Sequence, residues 1–430
     1  MNGETITDET KTYVCIDLKS FYASVEAVER GMDPMTENLV VADPSRGRGA
    51  ICLAITPAMK KLGVKNRCRL FEIPEGISYV TALPRMKTYM RYSARIYSIY
   101  LRFVSADDIH VYSIDECFID ATSYLRLYGV DGRGFATSLR NAVFAETGIT
   151  ATCGIGTNLF LAKVALDIEA KKSPDGIGYL DRLEFRRKIW THRPITDVWT
   201  VGRGIATRLE NFGIYDLKGV ACCDEDILYK EFGVNAEYLI DHSHGEEPCT
   251  IADIHAYKSE ERSISNGQIL FSDYAYENAL TILKEMVDFL TTELSENRLV
   301  ANRIFLSVGY SGDCHKATGG WKKLAEGYTR SYVHIKNAFV KLYEATTAKD
   351  SPIRRINVGV SGLKSEDFMT YDLLTDKTRL DKEVAAIDAV VGIRRKLGKN
   401  SVLRGVDLKK EATARERNKL IGGHNGGEEE

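Results

Sequence analysis

A chain of 430 residues with 44% hydrophobic content can bury more than one core, and such a length corresponds to roughly two to four domains. There is no uncharged apolar run of about eighteen residues, and Met1-Asn2-Gly3-Glu4 is not a basic region leading into an apolar one, so the expectation is a cytoplasmic protein with no membrane association. The nine cysteines are scattered without zinc-ligand spacing, including Cys222-Cys223 and Cys52 with Cys68, and the net charge of -2 excludes a uniformly basic surface but not a local basic stripe.

Residues 13–18 form an apolar run closed by a carboxylate, Asp17, and read as a buried strand. Ser20 is placed to cap a following helix whose Phe21, Val25 and Val28 make an apolar stripe. A carboxylate at a strand end serves as readily as a cap as it does in catalysis. Residues 50–55 read as a strand and 57–63 as a short helix carrying Lys60 and Lys61, either a solvated face or a cationic site for a triphosphate. Residues 83–100 place tyrosines and apolar residues at helical spacing among Arg85, Lys87, Arg91, Arg95 and, just beyond, Arg102.

In residues 111–120, Asp115 and Glu116 interrupt an otherwise strand-like run, the pattern of a β-hairpin with acid at its tip. Successive side chains on a strand point to opposite faces, but at a turn both can converge on one hard cation. A solvated turn is the alternative reading. With Asp17, however, three carboxylates from two strands could hold two magnesium ions roughly 3.5–4 Å apart, the arrangement of nucleotidyl transfer.

Residues 128–134 read as a loop, 135–147 as a helix with Leu139 and Val143 inward, and 150–155 as a strand. Gly154-Ile155-Gly156-Thr157-Asn158 then turns into a helix bearing Lys163 and Lys171; without a third glycine or the later acid it is not a dinucleotide fingerprint. Ser173-Pro174-Asp175-Gly176 breaks the chain. Beyond it, residues 197–206 contain Gly202-Arg203-Gly204, either an ordinary tight turn or a helix-hairpin-helix whose amides bind a DNA phosphate. Residues 241–248 are polar and turn-rich; their two histidines read as linker polarity and not as zinc ligands. From Lys258, strands at 268–271, 303–309 and 353–363 alternate with helices at 279–299 and 331–342, a separate α+β domain. Residues 351–420 hold sixteen basic against ten acidic residues, and Arg354, Arg355, Lys396 and Lys399 could track phosphates.

Three stretches in order, Asp17-Leu18-Lys19-Ser20-Phe21-Tyr22-Ala23-Ser24-Val25-Glu26, Ser113-Ile114-Asp115-Glu116-Cys117-Phe118-Ile119-Asp120 and Leu161-Ala162-Lys163, resemble the core motifs of Y-family translesion DNA polymerases, with the UmuC-type (ImpB/MucB/SamB) branch of Gram-positive bacteria the nearest likeness. The resemblance implies an α+β multidomain, right-handed polymerase: palm at 11–22 and 85–177, small fingers at 23–84, helical thumb at 178–240, linker at 241–257, C-terminal α+β little-finger domain at 258–410 and a disordered tail at 411–430. It implies that Asp17, Asp115 and Glu116 are catalytic and, with the Leu18 carbonyl, bind two Mg2+ ions. Around the incoming nucleotide it places Phe21, Tyr22, Thr56, Lys60 and Lys171 (or Lys172), and on DNA it places Gly202, Arg203, Gly204, Arg354 and Arg355.

Many relatives carry a tyrosine and an arginine where this chain has Pro57 and Lys60; proline offers no hydroxyl and lysine no bidentate fork, which loosens the expected grip on triphosphate. Tyr22 is implied to lie under the sugar and to exclude a 2′-hydroxyl by steric contact, whereas Phe21 reads better as core packing. The partners implied are primed template DNA, deoxynucleoside triphosphates and a weak sliding-clamp contact through Tyr371-Asp372-Leu373-Leu374-Thr375, which lacks the glutamine and aromatic anchor; Gln268-Ile269-Leu270-Phe271 has better letters but reads as a core strand. Error-prone translesion synthesis is the expected function. A nucleotidyl cyclase with a palm-like site and a non-catalytic DNA-binding repair scaffold are the alternatives.

Overall fold

The computed structural model describes residues 11–259, 262–312, 315–371 and 376–427. The clamp-like segment at 372–375 lies outside them. The chain divides into two compact units, one running to Tyr257 and including residues from His424 onward, the other spanning Lys258–Gly423.

The first unit is built on strand β1 (Tyr13–Leu18), which is followed by helix α1 (Phe21–Val28). Next come β2 (Leu39–Val41), β3 (Ala54–Ile55), helix α2 (Pro57–Lys61) and β4 (Val80–Ala82), forming a small sheet in the order β3-β2-β4. Its core includes Val40, Cys52, Ile55, Met59, Val64, Cys68 and Ile73. Proline at the first helical position suits α2, since no amide hydrogen is wasted there. The strand expected at 50–55 is reduced to two residues plus a single bridge between Ile51 and Arg69.

After helix α3 (Met86–Tyr100), β5 (Ile109–Val111) and β6 (Glu116–Asp120) make the expected hairpin. Helices α4 (Thr122–Tyr128) and α5 (Gly132–Thr147), strand β7 (Ala151–Gly156), helix α6 (Leu159–Val164) and strand β8 (Ile177–Leu180) complete a sheet in the order β5-β6-β1-β7-β8. β1 is therefore central and, apart from Asp17, buried along its whole length, which its Val-Cys-Ile run satisfies.

The glycines around α6 serve packing. A Cβ at Gly154 would fall 2.1 Å from the Ala162 carbonyl, one at Gly156 2.2 Å from the Ala162 nitrogen, and one at Gly178 2.4 Å from the Ala165 carbonyl. Only glycine lets α6 and the π-helical turn Ala165–Ala170 that prolongs it lie directly on the sheet. The opposite face takes α5, whose Ala136 carbonyl accepts from Cys153 Sγ at 3.9 Å.

Helices α7 (Arg182–Lys188) and α8 (Arg203–Glu210) follow, then Leu217–Ala221, Glu225–Phe232 and Ala236–His244, around a core of Phe185, Val198, Leu209, Leu217, Leu228 and Leu239. Asp181, Asp216 and Asp224 cap three of these helices with their side chains. Two expectations are corrected here. Before Gly202 stands only a 3-10 turn, Ile195–Asp197, so the helix-hairpin-helix is incomplete on its first side. Residues 241–257, expected as a turn-rich linker, are irregular only at 245–250 and 257: they finish one helix and form another, Ile251–Ala256, with a Thr250/Asp253 capping box and Ile251 buried against the Phe118 cluster.

The second unit is a four-stranded antiparallel sheet ordered Thr318–Lys323, Arg303–Tyr310, Ile353–Ser361, Ser263–Tyr274. Helices Tyr276–Glu296 and Tyr332–Thr346 cover one face with Leu283, Met286, Leu290, Ile335 and Phe339. Residues 411–427, expected to be disordered, are held: the amides of Thr413 and Ala414 both donate to Glu285, a carboxylate that burial pushes up and these bonds draw down. Within the first unit, the Lys87 amide donates to the Gly426 carbonyl at 2.9 Å. Backbone amides supplied the partners that side-chain composition did not suggest.

Candidate active site

Strand register brings the carboxylates together. Asp17 of β1 pairs across the ladder with Glu116 of β6 and with Thr152 of β7, so Asp17 and Glu116 share one face. Asp115 lies in the turn just before β6, its carbonyl accepting from the Leu18 amide at 3.0 Å and its Oδ1 from Ser113 Oγ at 2.7 Å. The turn thus sets Asp115, Leu18 and Asp17 side by side at one end of the sheet.

The electrostatics record that crowding. Burial and the charges of Asp115 and Glu116 push the Asp17 carboxyl up to about 7, with Lys163 opposing. Glu116 is steadied: Lys163 Nζ lies 2.7 Å from its Oε1, and Cys15 Sγ donates to the same oxygen at 3.1 Å. Burial alone would lower the Lys163 ammonium, but the bond to Glu116 and the charges of Glu116 and Asp167 outweigh it and hold it above its ordinary range. Lys163 also sits 5.9 Å from the Tyr112 ring centre, and the Tyr112 hydroxyl accepts from Trp199 Nε1 at 3.1 Å.

Among the described residues no three His, Cys, Asp or Glu groups stand close enough to be a ready-made metal cage. The donors nevertheless fit a hard divalent cation: they are carboxylate oxygens, and burial beside two further carboxylates pushes Asp17 up, which marks negative charge that a cation would compensate.

The residues expected around the nucleotide divide into two groups. Tyr22 is half-buried, its hydroxyl pushed up by burial and by Asp115, with Arg67 opposing. Lys60 keeps much of its side chain in solvent, yet desolvation of its ammonium draws it down, with Asp17 opposing and Lys171 adding to the shift. Lys171 is exposed and pairs with Asp167 Oδ1 at 3.6 Å, while Lys163 takes Asp167 Oδ2 at 3.1 Å, so both lysines flank one aspartate. Lys60 thus feels both Asp17 and Lys171.

Two residues expected around the nucleotide are buried. Phe21 is buried core. Thr56 is fully buried and its hydroxyl accepts from the Leu39 amide at 3.1 Å, which commits it to the edge of β2. Ser20 does not cap α1 with its side chain; it takes the left-handed conformation at φ 49°, and its buried Oγ has no hydrogen-bond partner.

Gly202, Arg203 and Gly204 are exposed at the start of α8, with open space where either glycine would carry a Cβ. In the second unit Arg355 is exposed on the sheet face away from the helices, in register with Ile269, and half-buried Arg354 lies 3.4 Å from Asp273. Gln268 and Leu270 are buried in that strand but Ile269 and Phe271 are exposed, so only one face of the segment expected as core is in the core. Lys163 was missed as a site residue although its motif was visible; its partner Glu116 lies 47 positions away, and only the glycine-permitted approach of α6 reveals the pairing.

Comparison with known proteins agrees with this architecture. The impB/mucB/samB family model matches residues 16–167 and the impB/mucB/samB C-terminal domain matches residues 261–373. UvrX of Bacillus subtilis, whose name assigns it provisionally to UV-damage repair, is 32% identical over 96% of this chain and 97% of its own. DNA polymerase IV 2 of Bacillus subtilis is 31% identical over 96% and 98%, and that of Halalkalibacterium halodurans is 30% identical over 96% and 99%. A solved Y-family DNA polymerase chimera of Dbh and Dpo4 shares the fold, with a TM-score of 0.63 at 22% identity over 82% of this chain and 99% of that one. The chain belongs to the impB/mucB/samB family of Y-family DNA-directed DNA polymerases.

Proposed function

We propose that this chain carries out error-prone translesion DNA synthesis, adding deoxynucleotides to a primer by nucleotidyl transfer at two Mg2+ ions. The observation that carries this reading is the Asp17/Glu116 cross-strand pair with Asp115 bound by its backbone to Leu18, a set of hard oxygen donors at one sheet end. Bound there, Mg2+ would lower the pKa of the primer 3′-hydroxyl and offset charge on the leaving pyrophosphate.

The protein's own groups have separable tasks. Asp17, Asp115, Glu116 and the Leu18 carbonyl supply the ligands. Lys163 orients Glu116, in the manner of an outer-shell partner. Lys60 and Lys171 supply positive charge to the triphosphate as point charges, without the bidentate fork an arginine would bring. Tyr22 lies under the sugar and excludes a 2′-hydroxyl by contact. Gly202, Arg203 and Gly204 hold DNA phosphate through exposed amides and charge, as do Arg354 and Arg355, so binding follows the backbone and not sequence. The protein works in the cytoplasm, and its clamp contact is weak because the candidate peptide lacks an aromatic anchor.

Primer extension on undamaged and lesion-bearing templates tests the reading. A cyclase would consume nucleoside triphosphate without DNA, and a scaffold would bind primed template without extending it. Either result would displace the proposal.

A further inference from the structure

The ring of Tyr22 is held from behind. Tyr89 of α3 stacks on it with centroids 4.5 Å apart and planes 20° from parallel. Tyr89 is itself fully buried, and its hydroxyl donates to Glu26 Oε1 at 2.8 Å. Glu26, one helical turn beyond Tyr22 in α1, has no solvent exposure at all.

Such a carboxylate survives burial only if every oxygen is satisfied. Here Arg85 Nε donates to Oε1 and Arg85 Nη2 to Oε2, each at 2.9 Å, and Arg30 Nη1 donates to Oε2 and, at 2.8 Å, to the Glu26 carbonyl. Burial alone would raise the Glu26 carboxyl, but these bonds outweigh it and hold it below its ordinary range, so it stays charged. The clamp joins α1 to α3, and the one ring it fixes on the α3 side is the ring that touches Tyr22.

Helix α1 cannot orient Tyr22 unaided. It is eight residues long and starts from left-handed Ser20 without a side-chain cap, and a helical backbone narrows the tyrosine χ1 without fixing χ2. A flat stacking partner removes that freedom, because offset-stacked rings resist tilting.

We propose that Tyr89, anchored through Glu26 and Arg85, is a positioning residue for sugar selection, holding the Tyr22 ring in the plane against which the 2′ carbon of an incoming nucleotide is tested. This rests on the reading of Tyr22 as the sugar gate, and the test separates the two.

The quantity measured is the ratio of kcat/KM for ribonucleotide to that for the matching deoxynucleotide, in the full chain. Tyr22→Ala raises the ratio by orders of magnitude. Tyr89→Leu, which removes the stacking surface, raises it about tenfold, and Tyr89→Phe, which keeps the ring but loses the Glu26 bond, about threefold. The double variant Tyr22→Ala/Tyr89→Leu rises no further than Tyr22→Ala alone, since both act through one ring. A purely structural role for Tyr89 would depress both kcat/KM values together and leave the ratio fixed. Should Tyr89→Leu fail to fold, Tyr89→Phe carries the test, as its packing volume is unchanged. A ratio that moves for Tyr22→Ala but stays within about 1.5-fold for the Tyr89 variants overturns the positioning role alone. A ratio unmoved by Tyr22→Ala overturns the gate and, with it, this proposal.

Discussion

Replacing Asp17 by asparagine should stabilise the metal-free protein while destroying its activity. An unfolded aspartate titrates near 3.8, whereas burial and the facing charges of Asp115 and Glu116 push folded Asp17 up to about 7. Between those values the folded state binds the proton more tightly, so this group's favourable contribution is complete below pH 4 and is lost as pH rises towards 7. A shift of this size bounds the penalty for ionised Asp17 at about 4 kcal/mol, and water reaching a half-buried site trims it to about 1–3 kcal/mol. Asparagine keeps the shape without the charge. At pH 8, in chelator, Asp17→Asn should therefore melt about 3–10 °C above the parent, at roughly 2–4 °C per kcal/mol for a unit of this size. At about pH 3.5, where Asp17 is largely protonated in both the folded and the unfolded state, the two curves should nearly coincide. An equal gain at both pH values, or none at pH 8, would refute the charge-crowding argument.

Asp115→Asn and Glu116→Gln should each cut primer extension by about a thousandfold or more while leaving affinity for primed DNA within about twofold at fixed salt, as gel-shift titrations would show. Lys163→Met leaves the partly buried Glu116 without its cation; we expect a loss of about 1–3 kcal/mol in denaturant titrations and about a tenfold to hundredfold fall in extension. Gly154→Ala drives a methyl into the Ala162 carbonyl and should cost about 3 kcal/mol or abolish soluble expression, whereas a normal melting curve would disprove the close approach of α6.

Features set by local order were legible in the sequence. Alternating and continuous apolar runs announced β1 and the β5-β6 hairpin, and the acids at the hairpin tip stand where the spacing placed them. In the second unit the three expected strands and two helices are present, because each carries its own periodicity. The strand Thr318–Lys323 was missed: its Thr-Gly-Gly-Trp-Lys-Lys has neither an apolar face nor β-branched runs, and it exists through its ladder with Arg303–Tyr310. Helix Lys377–Leu397 was missed for a related reason, since only Leu380, Val384 and Ile387 face inward along its twenty-one residues.

What was least legible is what one residue does to another across the fold. Gly154 and Gly156 read as the turn from a strand into a helix, yet both are strand residues whose missing side chains admit that helix against the sheet, and the helix delivers Lys163 to Glu116. Glu26 had no role of its own in the sequence beyond closing the first motif, yet it is among the most thoroughly satisfied charges in the first unit. Both cases follow one physical rule: a charge is kept inside only where partners from other elements converge on it, and the sequence shows the charge without the convergence. Buried charges beside the candidate site are therefore where structure adds most to sequence, and at Lys163 and Glu26 it assigns the supporting positions that the motif residues alone did not name.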